Sequence, residues 1–133
     1  MAHRFPVSVK GVVLKDDRVL LLKNERNEWE LPGGKLELGE SPPACVRREL
    51  KEELSLDIVP VRLIDSWLYS IFENVHVLIL AYGCLSPGST AFKVSDEHQG
   101  GAWIGLDQLD DLNLPAGYKQ SIRLWREECG RRT

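Results

Sequence analysis

The stretch from Gly34 to Leu56, GKLELGESPPACVRRELKEELSL, constrains this chain more than any other. Ser41 suits a helix N-cap and Pro42 the first turn, where a missing N–H leaves nothing unsatisfied, so the spacing predicts a helix from about Pro42 to Leu54. At about 100° per residue, Val46, Leu50 and Leu54 share one stripe that faces a core, and Glu49, Glu52 and Glu53 fall on the arc beside it. Carboxylates crowded at the border of a buried face repel one another and lose hydration, so their pKa values rise unless a cation compensates. Mg²⁺ suits that task, because it takes oxygen ligands, keeps several waters, and shares itself between a few carboxylates and substrate phosphates.

A solvated helix face with i,i+4 pairs such as Arg48–Glu52 accounts for the same residues. The preceding residues favour the metal reading. Gly33-Gly34 tolerates positive φ and a sharp bend, and lets backbone approach a ligand or ion closely; Gly39-Glu40 adds a second turn directly before the helix.

Gly34, five residues, Glu40, seven residues, then Arg48-Glu49-Leu50-Lys51-Glu52-Glu53-Leu54-Ser55-Leu56 resembles the signature box of the Nudix hydrolases, Gly-x5-Glu-x7-Arg-Glu-U-x-Glu-Glu-x-Gly-U with U aliphatic. Eight of nine constrained positions agree at fixed spacings, and Leu31-Pro32-Gly33-Gly34-Lys35 matches the usual lead-in. The departure is Ser55 in place of the last glycine, where a helix commonly ends in a left-handed residue; it removes no catalytic group.

The 133 residues suit one domain, 1–133, with a real core. The formal charge of −3 is mild and the basic residues are scattered, so no nucleic-acid footprint is indicated. The N-terminus lacks a signal-like apolar run, and the most apolar segment, Val75 to Leu85, is too short for a bilayer, which points to a cytoplasmic protein without membrane attachment. Cys45, Cys84 and Cys129 are odd in number and form no C-x-x-C pair, so neither a disulfide framework nor a zinc site is suggested; Cys45 reads as a packing residue.

Pro6 to Lys15 and Arg18 to Lys23 read as a hairpin turning at Asp16-Asp17, followed by a polar stretch, Asn24 to Glu30. A second, longer hairpin is expected from Asp57–Phe72 and Val75–Cys84 about Glu73-Asn74. A polar loop, a short strand Ala102 to Gly105, a helical turn around Asp107 to Asp111 and a helix from about Tyr118 to Glu128, packed through Ile122 and Trp125, complete the chain. Trp29 either stacks on a base or packs under the glycine turn. Trp67 and Tyr69 share one strand face and either grip a nucleobase or belong to the core. His76, in an alternating strand, reads as a sheet residue rather than a ligand.

The Nudix resemblance implies an α/β/α sandwich around a mixed sheet, an α+β arrangement, and hydrolysis of a small-molecule nucleotide derivative with Mg²⁺, or Mn²⁺ in its place. Position by position it implies that Glu52 and Glu53 hold the ion with the carbonyl of Gly33 or Gly34, that Glu49 ligates or acts as base, and that Arg48 orients Glu49. It further implies that Glu40 fixes the loop, that Lys35 meets a phosphate, and that Glu97, with Asp96 as competitor, adds a ligand from the polar loop. His98, on the same loop, either orients a phosphate or simply meets solvent. Family members often form homodimers. The rival to an enzyme is a catalytically idle nucleotide-binding module, which is expected to lack one of Arg48, Glu49, Glu52 and Glu53; all four are present.

Overall fold

The computed structural model describes residues 2–88 and 100–131. Strand β1 (Val7–Lys15) turns at Asp16-Asp17 into β2 (Arg18–Lys23), with Asp16 at φ 54°. The two pair only near the turn, through Leu14↔Val19 and Lys15↔Arg18. Val9, Val12 and Val13 are all fully buried, so β1 is covered on both faces and takes the central place in the sheet. There it runs parallel to β6 (Val75–Leu85), from Val7↔Leu78 to Val13↔Cys84.

The sheet order is β3-β2-β1-β6-β5, with β3 Trp29–Glu30 and β5 Val59–Phe72 at its edges. Beside this path, β4 (Gly33–Lys35) pairs with β1, and β7 (Gly100–Gly105) pairs with β2. One parallel pairing among antiparallel ones makes the sheet mixed, as expected. Two short strands depart from the sequence reading. Trp29–Glu30 and Gly33–Lys35 read as loop and turn, yet each finds a ladder partner, Leu22↔Glu30 on β2 and Val9↔Gly34 on β1. Strands of two or three residues carry too little alternation to register as a pattern.

Helix α1 spans Pro42–Leu54, the predicted bounds, and the Ser41 hydroxyl accepts from the Ala44 N–H at 3.3 Å. It covers one sheet face, where Val46, Leu50 and Leu54 join Val9, Val13, Leu20 and Cys84. A 3₁₀ turn, Leu106–Asp111, leads to α2 (Ala116–Arg131), which is longer at both ends than its apolar pattern suggested. Helix α2 covers the opposite face through Tyr118, Ile122 and Trp125, packed with Val12, Leu21 and Ile79. The Ser121 hydroxyl donates to Asp65 Oδ2 at 2.8 Å, and Arg62 pairs with Glu128 at 2.8 Å, tying α2 to β5. No helix among the described residues is long and apolar enough to cross a membrane.

Candidate active site

Helix α1 presents its polar arc to the loop before it. Arg48 is the hub. Its Nε and one terminal nitrogen donate to the two oxygens of Glu40 at 3.0 and 2.9 Å, a bidentate fork, and its other nitrogen donates to Glu49 at 2.9 Å and Glu52 at 3.2 Å. Glu40 also accepts the Glu37 N–H at 2.9 Å, which closes the loop before the helix. The Arg48 hydrogen bonds, with the Glu37 N–H beside them, pull the Glu40 carboxyl down to about 2. Arg48 is thereby held as a cation with one guanidinium nitrogen on Glu49.

The other two carboxylates divide between solvent and core. Glu52 is exposed, its side chain 60% accessible, whereas Glu53 is buried at 5% and accepts the Gly33 N–H at 3.1 Å. Burial pushes the Glu53 carboxyl up to about 8; the Glu49 charge pushes the same way, while Lys10 and the Gly33 N–H oppose it. Gly33 has φ 149°, and a Cβ there would lie 2.1 Å from the Val9 carbonyl oxygen, so only glycine permits this pairing. Beside it, a Cβ on Gly34 would lie 2.3 Å from the carboxyl carbon of Glu49. Glu53 on Gly33 and Glu49 against Gly34 thus bring two carboxylates onto one short strand.

Lys10 was not among the residues singled out from sequence. It lies on β1 opposite Gly33, is only 7% exposed, and by strand alternation shares the α2 face with Val12. Desolvation lowers its pKa, but Tyr118, Glu30, Glu53 and Glu49 more than offset that, and the ammonium stays charged with a raised pKa. The signal in the sequence was a single lysine inside the apolar run VSVKGVVL, which periodicity alone reads as an ordinary strand charge.

Adjoining Lys10 on this face is an aromatic cluster. Trp67 stacks edge-on against Tyr118 at 4.9 Å between ring centroids and lies 5.4 Å from Tyr69, which is 6.0 Å from Tyr118. A Cβ on Gly117 would lie 2.4 Å from the Trp67 ring, so the indole fills the space a side chain at the start of α2 would take. The Tyr69 hydroxyl donates to Glu28 at 3.3 Å, and the buried Trp67 Nε1 has no acceptor among the described residues. Trp29 is half-buried, packs on the α2-side core, and carries the Lys23 ammonium 4.7 Å over its ring. Trp67 and Tyr69 thus pack against the α2-side core, the second of the two readings of the pair, with Tyr118 against both rings and Lys10 in electrostatic reach of it.

Of the residues expected at the site, Arg48, Glu49, Glu52, Glu53, Gly33 and Gly34 are together, with Glu40 bound to Arg48. Lys35 is exposed at the end of β4, its carbonyl accepting from Arg48 at 3.4 Å. Glu97, Asp96 and His98 lie outside the described residues. Cys45 is fully buried, and burial raises its thiol to about 12, in keeping with a packing role. His76 meets the Ser70 hydroxyl at 2.7 Å on the neighbouring strand, as a sheet residue. Among the described residues no three acidic, histidine or cysteine side chains already converge as a cation site, because Arg48 engages Glu49 and Glu52 while Glu53 turns to Gly33. The donors are nonetheless all hard oxygens, and Glu53 is a desolvated carboxyl whose charged form a divalent ion would stabilise, so the set fits Mg²⁺ or Mn²⁺.

The family pattern described as NUDIX domain matches residues 4–125. The chain is 33% identical over 109 residues to a MutT-like protein of Streptomyces ambofaciens, covering 79% of this chain and 67% of that protein. It is 27% identical over 108 residues to the nucleoside triphosphatase NudI of Escherichia coli O139:H28, covering 73% and 75%. In three dimensions it superposes with a TM-score of 0.82 on a C. elegans Ap4A hydrolase, at 18% identity, covering 95% of this chain and 98% of the other.

Proposed function

Because the chain belongs to the Nudix hydrolase family, we propose that it cleaves a phosphoanhydride bond in a nucleoside diphosphate linked to another moiety, using Mg²⁺ with Mn²⁺ as substitute. The observation that carries this reading is the pair of carboxylates set on the β4 glycines, Glu53 on the Gly33 N–H and Glu49 against Gly34, with Arg48 fixing the second. Glu52 and Glu53, with the Gly33 or Gly34 carbonyl, hold the ion, and Glu97 or Asp96 completes the set. When bound, the ion neutralises phosphate oxygens and acidifies water. Glu49 takes the proton of the attacking water, and Arg48 holds the Glu49 carboxylate in line for it. Lys35 meets an outer phosphate.

Trp67, Tyr69 and Tyr118 offer stacking surfaces for the nucleoside, with Trp29 at the edge of that wall. Nucleoside triphosphates, nucleotide sugars and ADP-ribose are the candidate substrates, and the nucleoside triphosphatase relative supports the first of them. Recognition of oxidised guanine by an asparagine at the start of the last helix is disfavoured, since Gly117 stands there and Trp67 fills the space. A cytoplasmic setting would keep the buried Cys45 and Cys84 thiols reduced. A homodimer would use the β5 edge, where Leu63, Leu68 and Phe72 are exposed.

Phosphate and pyrophosphate release from a panel of nucleoside triphosphates, nucleotide sugars, ADP-ribose and dinucleoside polyphosphates, at mildly alkaline pH with Mg²⁺ or with chelator, tests the reading. Metal-dependent turnover of one group is expected. Silence across the panel would instead indicate an idle nucleotide-binding module.

A further inference from the structure

Lys10 has no part in the reaction as set out above, yet its burial is hard to explain by packing. The side chain is 7% exposed in the middle of β1, opposite Gly33 of β4. Tyr118, Glu30, Glu53 and Glu49 act on it electrostatically, but no described group takes a hydrogen bond or contact ion pair from its ammonium. Removing an ammonium from water is costly unless an anion meets it directly, and a hydrocarbon chain of similar volume would fill the same space without that penalty. A cation kept here without a contact partner is a cation kept for something that arrives.

Its surroundings identify the arrival. Lys10 sits opposite Gly33, whose N–H Glu53 accepts, and it feels Glu53, Glu49 and Glu30 as well as Tyr118, which stacks with Trp67 and Tyr69. A molecule with its anhydride at the carboxylates and its nucleoside against the aromatic rings brings the phosphate that joins the two within reach of a cation that feels both groups. We propose that Lys10 is a substrate-binding residue that anchors the phosphate on the nucleoside side of the scissile bond. This rests on the hydrolase reading above and deepens it: the site selects a diphosphate spanning metal and lysine over a single phosphate bound at the metal alone. Glu53 and Glu49, close enough to hold Lys10 charged yet not in contact with it, leave the ammonium free to bond a phosphate oxygen.

Methylenediphosphonate, which carries two phosphonate groups on a bridge that hydrolysis does not break and has no base, isolates this contact. Its affinity is measured by calorimetry in Mg²⁺ for the wild type, Lys10→Met and Lys10→Arg, and Mn²⁺ binding without diphosphonate is read by electron paramagnetic resonance. The expected result is diphosphonate binding weaker by about tenfold or more in Lys10→Met, largely recovered in Lys10→Arg, with Mn²⁺ binding undiminished in both. Equal diphosphonate affinity in wild type and Lys10→Met, or no diphosphonate binding by the wild type, would overturn the proposal. Loss of Mn²⁺ binding in parallel would do so too, because Lys10 would then act only through the carboxylates. Should Lys10→Met not fold, the Lys10 Cε resonance of wild type carrying ¹³C-labelled lysine reads the same contact, and a signal unmoved by diphosphonate overturns it. Wild type that binds diphosphonate through Lys10 but hydrolyses no nucleotide would sink the hydrolase reading alone; wild type that hydrolyses, with Lys10→Met unimpaired in binding, would sink this one alone.

Discussion

The acidic box and the aromatic wall meet across one strand, β1, but are built by different means. In the box, Arg48 reaches Glu49, Glu52 and Glu40 one, four and eight residues away, and Glu53 reaches Gly33 over 20. On the wall, Tyr69 reaches Glu28 over 41 residues, Asn113 reaches the Asn27 carbonyl over 86, and Trp67 of β5 rests on Gly117 of α2. A loop and helix of about twenty residues carry most of the box geometry wherever they are placed. The wall exists only once α2 has docked on β5. On the proposed function, reaction chemistry would reside in a locally determined unit and substrate choice in one that small shifts of a helix can alter.

The sharpest way to break the box alone is Glu53→Gln. It replaces a buried carboxyl with an isostere, so turnover of the preferred substrate should fall by roughly 10³-fold with no loss of folded structure. Near-wild-type rates at saturating Mg²⁺ would remove Glu53 from the metal set. Arg48→Met should lower turnover by about 10- to 100-fold, the range for a group that orients a metal-site residue, while substrate affinity changes little. A matching change in KM would place Arg48 on the substrate instead.

Protonation separates the two regions further, because only the box holds a carboxyl far from its ordinary value. Between 4.5 and about 8 the folded, metal-free chain keeps a proton on Glu53 that the unfolded chain has released. The stability from this group is therefore full below 4.5 and is lost as pH rises to about 8, a change of a few kcal/mol. Thermal melts in chelator across that window should show the decline, and Glu53→Gln should flatten it. Metal binding displaces the same proton, so apparent Mg²⁺ affinity should rise with pH up to about 8; an affinity flat across the window would contradict the assignment.

Gly117→Ala acts on the wall alone. A Cβ lies 2.4 Å from the Trp67 ring, and the forced repacking should destabilise the fold by about 1–3 kcal/mol and raise KM more than it lowers kcat. Equal loss in both would tie the wall to chemistry and undo the division. The smallest effect belongs to the position where the box departs from the family pattern. Ser55 occupies the left-handed region, φ 54° and ψ 33°, with its N–H on the Lys51 carbonyl at 3.0 Å. Ser55→Gly should stabilise by about 0.5–1 kcal/mol in a denaturant melt and leave turnover unchanged.

Legibility in the sequence followed the same division. Helix α1 could be drawn from Ser41, Pro42 and its apolar stripe because cap, start and face are all local. The Glu40–Arg48 fork was legible only as a matched position, since spacing says that two charges are near but not that they meet in bidentate geometry. Gly33-Gly34 was read as a turn and is a strand, because its partner, β1, lies more than twenty residues back. Lys10 passed unremarked for a related reason: a strand lysine looks the same whether its face is open or covered, and what covers β1 is α2, over a hundred residues away.

From the sequence by itself came the family, the mixed α/β/α layering, helix α1 with its carboxylates, and the reaction class those residues suit. These are properties of spacing, and spacing along a helix or turn sets which side chains meet within a few residues. Which carboxylate is buried, which way Trp67 lies, and that a lysine waits within electrostatic reach of the glutamates and Tyr118 were decided only when the strands found their partners. Burial and the electrostatics that follow from it depend on what packs above a residue, and in a sheet closed by distant segments that is a property of the whole fold.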